Sequence, residues 1–126
     1  MTVERVDHVN ISCMDIERTC AFYRDIVGLT VGPRPDVPVP GYWLYANGVP
    51  LIHLVDAAAM GRKKNIDQTG GAFDHVALRI SDPVEVQATL KRHDIPYEEN
   101  RVPDFGIWQF VVYDPEGIKV ELQCPI

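Results

Sequence analysis

Three histidines and one glutamate are the side chains of this chain whose types and spacing point to metal chemistry. His8 and His75 each stand in an Asp-His-Val triplet, and they lie 67 positions apart (75 − 8 = 67). His53 and Glu121 each stand between apolar residues, and they lie 68 positions apart (121 − 53 = 68). Imidazole nitrogens combined with a carboxylate suit a divalent transition metal such as Zn, Ni, Mn or Fe(II). Four protein ligands on an octahedral ion would leave about two positions open for a chelating substrate.

The elements that position these residues occur twice, in the order strand, helix, strand and hairpin. In the first half, residues 6–13 alternate between apolar and polar types, which predicts a strand. A helix is predicted to begin after its capping residue Asp15 and to end at Gly28, with a short strand near 29–32. A proline-rich loop then leads to a hairpin around Asn47-Gly48, the pair that two-residue turns prefer.

The second half repeats this order with matching residues. Residues 73–80 alternate as residues 6–13 do, and Asp82-Pro83-Val84-Glu85 is typical of a helix start. The final hairpin turns at Asp114-Pro115-Glu116-Gly117. Asp15 aligns with Asp82 at the offset of the two histidine triplets, which indicates duplicated units related by a pseudo-two-fold axis.

Length and composition favour a single intracellular domain covering 1–126. Within it we expect module 1 at about 1–56, a linker at about 57–71 and module 2 at about 72–126. The net charge of −6 argues against a nucleic-acid partner, which requires a basic face. The 3 cysteines include no C-x-x-C pair, and no apolar run reaches transmembrane length. A cytoplasmic protein with no membrane partner is therefore predicted.

Strand parity predicts which side chains share a face with the ligands. Regular pairing around the first turn would place Tyr42 opposite His53 and Leu44 opposite Leu51. Each candidate ligand would then point away from the helix-covered face of its sheet. The predicted cavity walls are Tyr42, Leu44, Phe110 and Val112, and the predicted polar substrate contacts are Asn10, Ser12 and Arg79.

Four segments make the chain resemble the vicinal oxygen chelate superfamily: "DHVNISCMDIERTCAFYRDIVGL", "PLIHLVD", "DHVALRI" and "FVVYDPEGIKVEL". That superfamily includes glyoxalase I, bleomycin and fosfomycin resistance proteins, methylmalonyl-CoA epimerases and extradiol dioxygenases. The resemblance implies an α+β fold of two tandem βαβββ modules, forming a cup-shaped sheet around a metal site with helices outside. It also implies a homodimer, and metal ligands at His8, His53, His75 and Glu121.

The resemblance implies a metal-dependent lyase or isomerase that binds a small substrate through vicinal oxygens. Glu121 would be a ligand that also moves a proton, and His53 would be a fourth ligand or an acid–base group. Glyoxalase I carries an arginine four residues after its first ligand, for the carboxylate of glutathione. This chain has Ser12 there, while Arg79 stands at the pseudo-symmetric position. Arg79 could bind an anionic substrate or pair with a surface carboxylate.

Two other functions stay open. An extradiol-type ring-cleavage dioxygenase would hold Fe(II) with His8, His75 and Glu121 and would leave His53 for proton transfer. A small-molecule binding or antibiotic resistance protein that only sequesters a drug would need no metal. A fosfomycin-type transferase would need a cationic cavity, for which Arg79 and Lys119 are the candidate residues.

Overall fold

The computed structural model of the chain describes residues 1–59, 61 and 73–126. The chain divides into two compact units, unit 1 at Met1–Asn65 and unit 2 at Ile66–Ile126. Most of the expected linker at 57–71 lies outside the described residues. Each unit carries one βαβββ module with a four-stranded mixed sheet, which confirms the predicted α+β fold of tandem modules. No helix in the described part of the chain is long and apolar enough to cross a membrane.

In unit 1 the strands lie side by side in the order Val9–Cys13, Val49–Asp56, Gly41–Ala46 and Thr30–Gly32; the first two are parallel and the other neighbours are antiparallel. Asp15 caps the helix, since its side chain accepts a hydrogen bond from the Arg18 backbone N–H at 3.2 Å. The helix ends at Gly28, whose φ of 91° suits glycine. The elements are β1 (Val9–Cys13), α1 (Ile16–Ala21), a π-helical segment (Phe22–Val27), β2 (Thr30–Gly32), β3 (Gly41–Ala46) and β4 (Val49–Asp56).

In unit 2 the strands lie side by side in the same order as in unit 1, again with the first strand of the unit parallel to its last. Asp82 caps the helix by accepting from the Val84 and Glu85 backbone N–H groups at 2.9 and 3.2 Å. The elements are β5 (His75–Arg79), α2 (Pro83–Arg92), β6 (Glu98–Val102), a 3₁₀ turn (Pro103–Phe105), β7 (Ile107–Tyr113) and β8 (Lys119–Pro125).

One face of each sheet is buried together with the apolar side of its helix. In unit 1 these residues include Ile11, Cys13, Cys20, Tyr23, Leu44, Ile52 and Leu54. In unit 2 they include Leu78, Val86, Leu90, Phe110, Val112, Val120 and Leu122. Burying each large apolar side chain contributes roughly 1.5–3 kcal/mol. The opposite face of each sheet holds polar and aromatic side chains, and we call it the open face.

The first hairpin differs from the predicted register by one residue. Ala46 pairs with Val49 and Tyr45 with Pro50, but Leu44 pairs with Ile52, so Leu51 is an extra residue in β4. The irregularity follows Pro50, which has no N–H to donate to the ladder and is typical of bulges. Tyr42 therefore does not lie opposite His53, and Leu44 does not lie opposite Leu51.

All four predicted cavity-wall residues lie on the buried faces, which corrects their expected position. Leu44 pairs with Ile52 and is fully buried. The Tyr42 hydroxyl donates to Glu17 Oε1 on α1 at 2.6 Å, so it also lies on the helix side. Phe110 and Val112 are fully buried, and their partners across the sheet are Leu122 and Val120. In the second hairpin Tyr113 pairs with Lys119. In this register Val111 pairs with Glu121, so Phe110 and Val112 lie on the other face of the sheet.

Candidate metal and substrate site

In unit 1, His8 is oriented by the residue before it. Its Nδ1 lies 2.8 Å from Asp7 Oδ2, and this hydrogen bond is the main cause of a lowered pKa of Asp7. Nδ1 therefore donates to the carboxylate, and Nε2 is the nitrogen left to bind an ion. A carboxylate in this position fixes the tautomer and raises the basicity of the ligating nitrogen in metal sites.

In unit 2, the same pair of residues has the same geometry. His75 Nδ1 lies 2.8 Å from Asp74 Oδ2, and Lys119 Nζ lies 3.3 Å from that oxygen. The bond to His75, followed by the one to Lys119, lowers the pKa of Asp74, and the Asp74 carboxylate raises the pKa of Lys119. Because Nδ1 is engaged, the second nitrogen of His75 is left for a ligand.

Glu121 lies beside that second nitrogen. His75 Nε2 is 3.4 Å from Glu121 Oε2, and the Glu121 side chain is 12% exposed. The Gln109 amide donates to the same oxygen at 2.7 Å, and Asn100 Nδ2 donates to Gln109 Oε1 at 3.4 Å. Two potential ligand atoms thus face each other, and one of them is held in place by a neighbouring amide.

His53 lies in a stack of three rings on the open face of unit 1. Its ring is 3.9 Å from that of His8 and 4.0 Å from that of Trp43, its cross-strand partner. His53 Nε2 lies 3.1 Å from Pro50 O, so it is the donating nitrogen and Nδ1 carries the lone pair. Desolvation, then the charges of His8 and Arg34, lower the pKa of His53, which favours the neutral ring.

The donor types fit a divalent ion in both units. Only the pair His75 and Glu121 is already arranged to bind one, whereas the pair His8 and His53 is not. In unit 2, an imidazole nitrogen and a carboxylate oxygen already face each other. In unit 1, the stacked rings of His8 and His53 direct their in-plane lone pairs along parallel planes, so binding one ion with both requires a ring to rotate. Within the described residues, no three His, Cys, Asp or Glu side chains come together as a metal cluster.

The predicted polar contacts lie on the open faces. Asn10 pairs with His53 across β1 and β4, and Ser12 pairs with Val55. Arg79 pairs with Gln123 across β5 and β8, two positions from Glu121. These three side chains are exposed. They therefore share a face with the candidate ligands of their own unit, unlike the predicted cavity walls.

Four residues of the site were missed from the sequence. The Asp7 and Asp74 carboxylates precede the histidines in the repeated triplet, and that repetition was the available signal. Trp43 lies opposite His53 only because of the bulge in β4, which the regular hairpin pattern did not predict. Gln109 carried no motif, since its counterpart in the repeat is Gly41 (109 − 68 = 41).

Comparison with known proteins identifies the family to which the chain belongs. Residues 5–122 match the family model described as the Glyoxalase/Bleomycin resistance protein/Dioxygenase superfamily. The chain belongs to this superfamily. The family expected from the repeated motifs is thereby confirmed, and the superfamily includes both enzymes and proteins that bind small molecules.

Individual relatives match the chain at low identity, and the solved structures among them share its fold. The chain is 27% identical over 95% of its length to the uncharacterized protein YaeR of Escherichia coli, of which it covers 95%. A glyoxylase/bleomycin resistance protein/dioxygenase domain from Frankia sp. superimposes with a TM-score of 0.78 at 18% identity, with 99% and 94% of the two chains covered. The trypanothione-dependent glyoxalase I of Leishmania major gives a TM-score of 0.70 at 25% identity, with 97% and 87% covered.

Proposed function

We propose that this superfamily member is a metal-dependent, glyoxalase-like enzyme of the lyase or isomerase type. Its substrate is a small molecule with adjacent carbonyl, hydroxyl or carboxylate oxygens. The proposed metal ligands are His8, His53, His75 and Glu121. The observation that carries the proposal is the duplicated Asp–His pair, at 2.8 Å in both units, with Glu121 held beside the free nitrogen of His75.

Each residue of the proposed site has its own role in the proposed reaction. A divalent ion, when bound, supplies Lewis-acid polarisation of the substrate oxygens. Glu121 accepts and returns a proton through the carboxylate oxygen that Gln109 does not hold, since Gln109 binds Oε2. Asn10, Ser12 and Arg79 offer hydrogen-bond donors to polar groups of the substrate, and Arg79 is suited to an anionic group.

A second candidate function is ring cleavage by an Fe(II) dioxygenase, and the state of His53 favours it. His53 Nε2 is engaged with Pro50 and its ring is stacked on both sides. His8, His75 and Glu121 would then form the two-histidine, one-carboxylate set that non-heme Fe(II) oxygenases use. In that case His53 is the acid–base group.

The test begins with the full chain purified without chelator and without oxygen, followed by elemental analysis. We expect about one divalent ion per chain, with affinity reduced by at least about 10–100-fold in His8→Ala, His75→Ala and Glu121→Ala. His93→Ala is the matched control, because His93 caps the far end of α2 and should leave the affinity unchanged.

The outcomes separate the functions. If the bound ion is Zn, Ni or Mn and the chain turns over a 2-oxoaldehyde adduct, the lyase or isomerase proposal is supported. Iron with oxygen uptake on a catechol would promote the dioxygenase. If the purified chain holds no ion and neither the parent nor the variants bind added metal, both enzymatic proposals are wrong and a binding protein is favoured. The homodimer implied by the resemblance and the cytoplasmic location predicted from the sequence stay predictions, and sedimentation velocity tests the first.

A further inference from the structure

Arg34, in the proline-rich loop between β2 and β3, is a half-buried cation without a carboxylate partner among the described residues. One of its terminal nitrogens, Nη2, donates to Val39 O at 2.7 Å. Its Nε is buried and has no hydrogen-bond partner in the described part of the chain. Guanidinium carries five N–H donors, and among the described residues Arg34 uses them for one hydrogen bond, to Val39 O.

The lack of a partner is not explained by a shortage of acidic residues. The chain has 18 acidic and 12 basic residues, and Arg24, Arg92 and Arg101 all lie within 4.0 Å of a carboxylate. Burying the Nε of Arg34 with no hydrogen-bond partner among the described residues costs free energy, because the hydration of that N–H group is lost without compensation. A group that binds transiently is a direct physical reason for keeping such an arrangement.

The guanidinium lies close to the candidate site of unit 1. A side chain at Gly41 would place its Cβ 2.9 Å from Arg34 Nη2, so the arginine occupies space that the glycine leaves open. Gly41 pairs with Val55, which pairs in turn with Ser12. Trp43, two residues along β3 from Gly41, stacks on His53.

This position gives unit 1 an arginine where the repeat alone gives none. In unit 2, Arg79 stands in the cross-strand row with Gln123 and Gln109. The corresponding row of unit 1 holds Ser12, Val55 and Gly41 and contains no cation of its own. The loop supplies the missing cation from outside the sheet.

We propose that Arg34 binds the carboxylate group of an anionic substrate on the open face of unit 1, next to Trp43 and His53. A carboxylate matches one planar guanidinium with free N–H donors, whereas phosphate sites generally combine several cations or backbone N–H groups. The proposal deepens the proposed function by naming the substrate class and rests on it for the chemistry that follows. The binding step itself requires no metal.

The experiment measures thermal unfolding of the full chain at constant ionic strength, with chloride replaced by acetate at about 100 mM. Acetate binding to Arg34 should raise the Tm by about 2–4 °C, because a ligand that binds only the folded state stabilises it. Arg34→Gln should lose this shift, and Arg34→Lys should keep part of it. Arg24→Gln should keep all of it, since Arg24 is exposed and pairs with Asp25 at 2.7 Å.

The design separates anion binding from a structural role and from the metal. In chloride alone, Arg34→Gln should keep a Tm close to that of the parent, because removal of a partly buried charge offsets loss of the hydrogen bond to Val39 O. A purely structural arginine would instead destabilise the variant in both salts and leave the acetate shift intact, which overturns the proposal. The shift should also survive treatment with EDTA. Loss of the shift after EDTA, or stronger stabilisation by inorganic phosphate than by acetate, would overturn the assignment, whatever the metal analysis shows.

Discussion

Gln109 donates a hydrogen bond of 2.7 Å to Glu121 Oε2, the oxygen that also lies 3.4 Å from His75 Nε2. The amide thus restrains the rotamer of a candidate ligand that is itself nearly buried. Replacing Gln109 with Met keeps the volume and removes the donor. We expect the affinity for a divalent ion to fall by about 10–100-fold, as is usual when a group that orients a ligand is lost.

Gln87→Met is the matched control for that measurement. Gln87, on α2 and outside the candidate site, donates to Glu99 on β6 at 3.3 Å, so its loss should leave metal affinity unchanged. Isothermal titration with the same ion provides the readout. Equal affinities of the parent and Gln109→Met would show that Gln109 does not orient Glu121 for binding.

The two carboxylates before the histidines should act alike, because the repeat places them alike. Asp7→Ala and Asp74→Ala each remove the acceptor that holds Nδ1 at 2.8 Å. We expect each variant to bind metal about 10–100-fold more weakly than the parent. Asp104→Ala, in the exposed 3₁₀ turn, is the control. An effect at Asp74 with none at Asp7 would mean that the units do not contribute equivalently.

The sequence was informative wherever a local pattern decides the structure. The Asp15 and Asp82 caps, the Asn47-Gly48 turn and the duplicated strands follow from short-range preferences, and the structure confirms them. The face of Leu44 could not be predicted in the same way. It depends on the extra residue that β4 accommodates after Pro50, and a one-residue shift exchanges the two faces of a strand.

Contacts between residues that are far apart in the sequence could not be predicted either. Gln109 reaches Glu121 because two strands pair in one particular register, and its type alone suggests no role. Arg34 approaches β3 from an irregular loop, where no periodicity relates sequence position to direction. Its charge acts on His53, 19 positions away (53 − 34 = 19), only because the loop folds back on the sheet.

Leu44 should behave as a core residue and not as a wall of the substrate site. It is fully buried opposite Ile52, so Leu44→Ala should lower the free energy of unfolding by about 2–5 kcal/mol. Leu51→Ala, at the half-buried extra residue of the same hairpin, should cost clearly less. Urea unfolding measures both. Equal losses, or a Leu44→Ala variant with parental stability, would contradict the observed register.

The stack of Trp43, His53 and His8 gives the site a pH response with a defined sign. The pKa of His53 lies below its ordinary value of 6.5, first because of desolvation and then because of the charge of His8. The folded chain therefore binds a proton at His53 less readily than the unfolded chain does. The stability linked to His53 is fully present above pH 6.5 and is lost as the pH falls through 6.5 toward the lowered value.

Trp43 reports this protonation directly, because its ring lies 4.0 Å from that of His53. In metal-free protein with Trp108→Phe, the fluorescence of Trp43 should change with a midpoint below 6.5. His8→Ala should move the midpoint upward, since it removes a positive neighbour and opens His53 to water, two effects of the same sign. His93→Ala, at the C-terminal cap of α2, should leave it in place. A midpoint at or above 6.5 in the parent, or a downward shift in His8→Ala, would show that the stack does not control the protonation of His53.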